Sequence, residues 1–210
     1  MIVLTTDQRT PEWHAARLGR LTGSCAGDML AKIKTGEAAA RRDLRTRLVC
    51  ERLTGESQED AFVSKDMQRG IDKESDAFAA YEALTGEMAR PCGFLAHDTL
   101  MAGCSPDGDV GAFAGLLELK CPKAATHLRY LRAQAVPADY LPQITHNLWI
   151  TGAAWCDFVS FDDRFPAEHQ VFRVRVRAAD LDLAGYETAA RAFLAEVEQE
   201  LLSLTSVAVA

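Results

Sequence analysis

Ser105-Pro106-Asp107-Gly108, followed by Leu116-Leu117-Glu118-Leu119-Lys120-Cys121-Pro122, is the stretch on which the reading of this chain turns. The second segment reads as a short apolar strand. Its side chains alternate between faces, so Glu118 and Lys120 share one face and Leu117 and Leu119 point to the other. A carboxylate and an amine two residues apart on such a strand are costly to bury unless they are paired or used. Asp107 ends the preceding strand and can converge on the same place. Two carboxylates near one point suit a hard divalent cation such as Mg²⁺, which takes oxygen ligands and keeps several waters. A lysine beside that ion can orient or deprotonate a water, and this is the apparatus of metal-assisted phosphodiester hydrolysis. Each piece also has a plainer reading. Ser-Pro-Asp-Gly makes a good type I turn, and Glu118 with Lys120 makes an exposed cross-strand pair.

Working outward, Thr10-Pro11-Glu12 starts a helix with an N-cap threonine and a proline at the first helical position, stopping at Gly19. A second helix is read from Thr22 or Ser24 to near Gly36. A third runs from about Glu37 to Thr54 with Leu44 and Leu48 on its apolar side, and a fourth from near Ser64 to Leu84. On the fourth, Ile71, Glu74, Phe78 and Tyr81 follow the helical repeat, so Glu74 sits on the apolar stripe, at the rim of the core or drawn into a site. Short β-like runs follow at about Pro91–Ala96, Leu100–Cys104 and Leu116–Lys120. A helix capped by Asp139 then runs to Ile150, with Leu141, Ile144 and Leu148 on one face and Gln143, His146 and Asn147 on another. Strands at about Trp155–Phe161 and Gln170–Arg177 precede a last helix from near Asp180 to about Leu202. This order predicts an α/β fold, a mixed five-stranded sheet flanked by helices. One domain is expected over 1–210: a helical N-terminal region at about 10–85, a sheet core at about 86–178 and a C-terminal helix at about 180–202.

Composition narrows the function classes. The chain has 210 residues, 48% hydrophobic and 25% charged, which is ordinary globular composition. It has no run of about 18 apolar residues that would make a membrane span. Its start carries neither a basic n-region nor a long apolar h-region, so no secretory leader is expected. The six cysteines are scattered without zinc spacing, and buried free thiols in a reducing, cytoplasmic compartment are the expectation. The net charge of −7 argues against binding nucleic acid by bulk attraction. Residues 32–52 run the other way, with Lys32, Lys34, Arg41, Arg42, Arg45, Arg47 and Arg52 against Glu37, Asp43 and Glu51. That segment is either a compact basic face or a helix whose arginines pair with acids. Arg17 at the end of the first helix and Thr22-Gly23-Ser24 at the start of the second form a candidate anion pocket, or a plain N-cap with a surface arginine. No P-loop or dinucleotide fingerprint is present.

Six pieces occur in one order over roughly residues 10–160: Trp13-His14-Ala15-Ala16-Arg17-Leu18-Gly19, Leu21-Thr22-Gly23-Ser24, a helical Glu74 after Gly70, Cys104-Ser105-Pro106-Asp107-Gly108, Leu117-Glu118-Leu119-Lys120-Cys121-Pro122, and Tyr140-Leu141-Pro142-Gln143. The series resembles the phage lambda exonuclease family, viral-recombinase alkaline exonucleases with a restriction-endonuclease-like PD-(D/E)xK core. The resemblance implies that Asp107, Glu118 and the main-chain carbonyl of Leu119 are metal ligands and that Lys120 activates or positions the attacking water. Glu74 corresponds to a helical acid near a second metal, and Gln143 to an active-site glutamine. Arg17, Ser24 and Ser105 fall where the family holds a 5′-terminal phosphate. Met67 corresponds to a strand-separating wedge or is an ordinary core methionine. The family's cofactor is Mg²⁺, as two ions, with Mn²⁺ as a substitute. Its members are ring-shaped homotrimers around double-stranded DNA that degrade one strand from its 5′ end and work with a single-strand annealing protein. The resemblance thus implies a cytoplasmic protein of a bacterial host or a prophage. Two rival expectations stand beside it: an endonuclease of the same fold and a non-catalytic DNA-end-binding module. The resemblance fades beyond about residue 165.

Overall fold

Local punctuation sets most of the helices. The structure is a computed structural model and describes residues 1–4, 6–58 and 64–207, except for the side chains of 65–67 and 206–207. Strand β1 (Ile2–Leu4) precedes helix α1 (Pro11–Arg17), whose N-cap Thr10 hydroxyl accepts from the Trp13 N–H at 3.2 Å. A two-residue strand β2 (Leu21–Thr22) and a 3₁₀ turn over Gly23–Cys25 lead into a short helix α2 (Ala26–Leu30). Helix α3 (Ala39–Thr54) stops at Gly55, which takes the left-handed conformation with φ 71°. Helices α4 (Lys65–Asp72) and α5 (Glu74–Thr85) follow. Strands β3 (Ala89–Pro91), β4 (Phe94–Ala96), β5 (Ala102–Cys104), β6 (Gly108–Val110) and β7 (Gly115–Lys120) come next. The chain continues through α6 (Ala124–Ala133), α7 (Leu141–Thr151), β8 (Trp155–Phe161), β9 (Val171–Arg177) and the long α8 (Leu183–Val207).

The strands form two sheets, ordered β3-β6-β7-β8-β9 and β1-β4-β5-β2. In the five-stranded sheet β7 runs parallel to β8 and antiparallel to β6, so the sheet is mixed. Gly108 lies opposite Leu117, and one further step along that register brings Asp107 beside Glu118. Helix α5 covers one face through Ala77 and Tyr81, packed against Leu117, Leu119, Val159 and Phe161. Helix α7 covers the other through Ile144 and Leu148, packed against Leu116, Cys156 and Phe158. A third core joins α2, α3 and α8 to the four-stranded sheet through Met29, Leu44, Leu48, Leu95 and Phe193. Full burial of each such leucine or phenylalanine contributes about 1.5–3 kcal/mol, so β7 is clamped from both sides.

The expected α/β fold with a mixed five-stranded sheet is present, and strand membership is where it differs. The run expected at 91–96 divides at Cys92-Gly93, giving β3 to the five-stranded sheet and β4, with β5, to the other. The glycine-rich hairpin 108–115 supplies the missing member, β6. The second helix is shorter than expected, because Ala31 turns extended and ends it at Leu30. The fourth helix breaks at Lys73, so Glu74 opens α5 rather than lying inside a continuous helix. Helix α6 had no forecast: its buried His127 and Tyr130 are the only fully buried side chains it carries, too few to mark an apolar stripe. Asp139 lies in a 3₁₀ turn, and no side chain caps α7. No described helix is long and apolar enough to cross a membrane, and the six cysteines are free.

Candidate active site

The end of β7 carries a dense cluster of buried charge. Glu118 is 1% exposed, which for a carboxylate demands partners on every side. Lys120 Nζ lies 2.5 Å from its Oε1, the Gln143 amide donates to the same oxygen at 2.7 Å, and the Asn147 amide reaches Oε2 at 3.4 Å. Gln143 and Asn147 lie four residues apart on α7, so one face of that helix supplies both. Asp107 Oδ2 accepts from the Leu119 N–H at 2.6 Å and stands 4.0 Å from Lys120 Nζ. Burial pushes the Asp107 carboxyl up to about 7; Lys120 opposes this, while Glu118 and Glu74 add to it. Burial works to lower Lys120, but Glu118 and Asp107 outweigh it and hold the ammonium above its ordinary range. A cleft of about 330 Å³ opens on this group, lined by Glu74, Asp107, Leu119 and Lys120 with Arg9, Gly70, Ile71 and Cys121.

The donor chemistry fits a hard divalent cation. Among the described residues no three His, Cys, Asp or Glu side chains form a ready cage. Mg²⁺ does not need one, since it binds through one or two carboxylates and completes its shell with water and substrate oxygens. Asp107, Glu118 and the Leu119 carbonyl are such a set.

The expected phosphate-binding residues lie outside the cleft's lining and are tied to it through Ser105, two residues before Asp107. The Trp13 indole N–H donates to Ser105 Oγ at 2.8 Å, and the Arg17 guanidinium stacks 4.2 Å over the Trp13 ring, so one tryptophan links both. Strand β2 runs parallel to β5 with Thr22 opposite Gly103, so Ser24 and Ser105 each follow two residues beyond a paired position. Ser24 is exposed, with its hydroxyl 3.2 Å from that of Thr22. The helix behind it has only five residues, so its dipole adds little. Gly23 is tight against α7: a Cβ there would stand 2.5 Å from Asn147 Oδ1 and 3.3 Å from Gln143 Cγ. Met67 falls in α4, and its side chain lies outside the described residues.

The structure thus brings Asp107, Glu118, Lys120 and Gln143 together, with Glu74 on the same cleft, while Arg17, Ser24 and Ser105 stand outside its lining. Sequence reasoning missed Arg9, which pairs with Glu74 Oε2 at 2.5 Å, and gave no role to Asn147. Asn147 had a signal, its place on the polar face with Gln143. Arg9 had none, because a 65-residue separation in sequence hides the pair. The basic stretch of 32–52 is largely engaged with acids. Arg41 and Arg45 bind Glu37 and Glu196, Arg45 also binds Glu200, and Arg52 binds Glu198. Arg47 lies 2.7 Å from Cys25 Sγ and borders a small hollow with His14, Arg17 and Arg20.

Known proteins share this fold. The crystal structure of the alkaline exonuclease LHK-Exo from Laribacter hongkongensis is similar, at 40% identity and a TM-score of 0.85, covering 95% of this chain and 98% of that one. The same exonuclease in complex with dAMP matches at 41% identity, with the same TM-score and coverage. A phage-related exonuclease from Haemophilus somnus 129PT shares the fold, with a TM-score of 0.70 at 13% identity over 89% of this chain and 96% of that one. No curated protein sequence matches significantly. The YqaJ-like viral recombinase domain matches residues 12–154, the span from α1 to the end of α7 that holds nearly every residue of the cleft, and the chain belongs to that family.

Proposed function

We propose that this protein is a Mg²⁺-dependent exonuclease of double-stranded DNA that degrades one strand from its 5′ end, releases mononucleotides and leaves a 3′ single strand for recombination by annealing. The observation that carries the reading is the convergence of Asp107, Glu118, Lys120 and Gln143 at the end of β7. The 40% identity to an alkaline exonuclease over almost the whole chain supports the reaction class.

Asp107, Glu118 and the Leu119 carbonyl would hold one ion and Glu74 would serve a second, with Mn²⁺ as a substitute. When bound, such ions polarise the phosphodiester and make water a better nucleophile. Gln143 and Asn147 fix the Glu118 carboxylate, so its oxygens do not reorganise as charge develops. Lys120 presents Nζ to the attacking water and orients it. Arg17, Ser24 and Ser105 take the 5′-terminal phosphate, which sets the first scissile bond over the carboxylates. Met67 is either the strand-separating wedge or an ordinary core methionine. The same reading includes a homotrimeric ring around the duplex, a single-strand annealing partner and a place in the cytoplasm of a bacterial host.

The test is linear duplex DNA labelled at either end of one strand, with Mg²⁺ or EDTA, with or without a 5′-phosphate, beside a closed circle. Early release of the 5′ label as mononucleotide, only with Mg²⁺ and faster with the phosphate, is the expected result. Cutting of the closed circle would make the protein an endonuclease instead. No cutting of either substrate would leave a DNA-end-binding module.

A further inference from the structure

Arg9 is a cation in the cleft for which the site as described has no use. It has a left-handed backbone, φ 69°, one of four non-glycine residues with positive φ among the described residues. That conformation costs a side-chain-bearing residue of order 1 kcal/mol or more where glycine would be relaxed. The segment is nevertheless tied down on both sides. The Gln8 amide donates to the carbonyls of Cys92 and Pro106 at 2.9 and 3.0 Å, and Thr10 caps α1. Through Pro106 the segment is fixed to the loop that carries Asp107. The Arg9 side chain is 44% exposed and reaches across the cleft to Glu74 with one terminal nitrogen. Among the described residues it meets no other hydrogen-bonding partner, so the rest of its donor fork faces the opening. It lines the cleft over Glu74, Asp107 and Lys120 as well as a neighbouring hollow of about 200 Å³ that also reaches Asp107.

The charges are unevenly placed. Glu118 has Lys120 against it, whereas among the described residues the cation paired with Glu74 is Arg9. A phosphodiester entering there meets two carboxylates and needs a cation on that flank. A guanidinium suits it because its fork matches phosphate oxygens in pairs. The Glu74 contact does not prevent this, since a half-exposed ion pair is worth at most about 1 kcal/mol and exchanges readily.

We propose that Arg9 is a phosphate-binding residue of the DNA track, gripping an internal backbone phosphate on the Glu74 side of the cleft. It is distinct from the end-phosphate pocket at Arg17, from which the seven-residue α1, about 10 Å long, separates it. The inference rests on the nuclease reading.

Arg9→Gly makes a clean test, because glycine relaxes the left-handed backbone and the fold is not endangered. Binding of a short blunt duplex is measured by fluorescence anisotropy in EDTA over a series of salt concentrations, with 5′-phosphate and 5′-hydroxyl ends. The variant should bind about tenfold more weakly with either end, and its log–log salt slope should fall by about one, the signature of one lost phosphate contact. Both effects should persist when the change is made in a Glu74→Gln background. Wild-type affinity and slope in Arg9→Gly would overturn the assignment. So would effects that vanish in the Glu74→Gln background, because Arg9 would then act only by holding Glu74. If the unaltered protein binds no duplex, the nuclease reading falls first and this one with it.

Discussion

The centre of the cleft and its rim are built in opposite ways. Glu118, Gln143 and Asn147 sit on elements buried on both sides, β7 under α5 and α7, and each side chain is held by at least one other. Arg9, Trp13, Arg17 and Ser24 sit on short pieces. Helix α1 has seven residues and buries none of them, and it is attached by Thr10, the Trp13–Ser105 bond and the Gln8 staple. On the proposed function, the difference separates chemistry from recognition. Groups that would meet a reacting phosphorus are fixed by packing, while groups that would grip a strand stay on attachments that can adjust.

If that division holds, damage at the centre should be severe and chemical. Glu118→Gln keeps the shape but removes the charge that Lys120 and a cation need. Hydrolysis in a single-turnover assay should fall by about a thousandfold or more, and Mg²⁺ binding by titration calorimetry should be lost. Retention of both would put the chemistry elsewhere. The packing behind the centre should give the unaltered protein an acid sensitivity that removing His146 reduces. His146 on α7 donates from Nε2 to the Gly103 carbonyl at 2.9 Å and accepts at Nδ1 from the Tyr186 hydroxyl at 2.7 Å, so it is folded as neutral imidazole. Burial holds it down to about 4, against about 6.5 when unfolded, with the Gly103 bond opposing. Between those values the unfolded chain binds more protons. The contribution of His146 is therefore complete above pH 6.5 and lost as pH falls toward 4, up to about 3 kcal/mol in all. Urea midpoints across that range should fall less steeply for His146→Gln than for the unaltered protein.

A change at the seam should be intermediate. In Gly23→Ala the new methyl meets Asn147 and Gln143, the two groups that hold Glu118. The expected result is a loss of about tenfold in kcat with little change in KM, read from steady-state kinetics. A change in KM alone would mean that the seam belongs to the rim. Away from the cleft, Arg45→Ala removes the pair with Glu37, just before α3, and those with Glu196 and Glu200 on α8. Stability should drop by no more than about 1 kcal/mol and duplex affinity should not change. Weaker duplex binding would place the basic stretch on the DNA surface.

The sequence announced the centre better than the rim, and the reason is physical. A Glu and a Lys on an apolar strand, with an Asp just before its hairpin partner, conflict with burial, and that conflict can be read locally at 107–120. Trp155–Phe161 is a strand with the bounds expected of it, and α3 ends where Gly55 allows a left-handed turn. The break at Lys73 was hidden, because the apolar spacing of Ile71, Phe78 and Tyr81 continues across it. Strand β6 was hidden in a hairpin whose glycines and aspartates read as turn. The rim depends on contacts between distant segments. Trp13 with Ser105 and Arg9 with Glu74 follow from the topology of the second sheet and the helix break, and no local pattern encodes them.

The central claim is that the cluster at the end of β7 performs the hydrolysis while the rim holds the DNA. Lys120→Ala tests it most directly, with release of 5′-labelled mononucleotide from linear duplex in Mg²⁺ measured beside duplex affinity in EDTA. The account predicts that cleavage falls by about a thousandfold while affinity stays within a few-fold of the unaltered protein. Undiminished cleavage by the variant would contradict it.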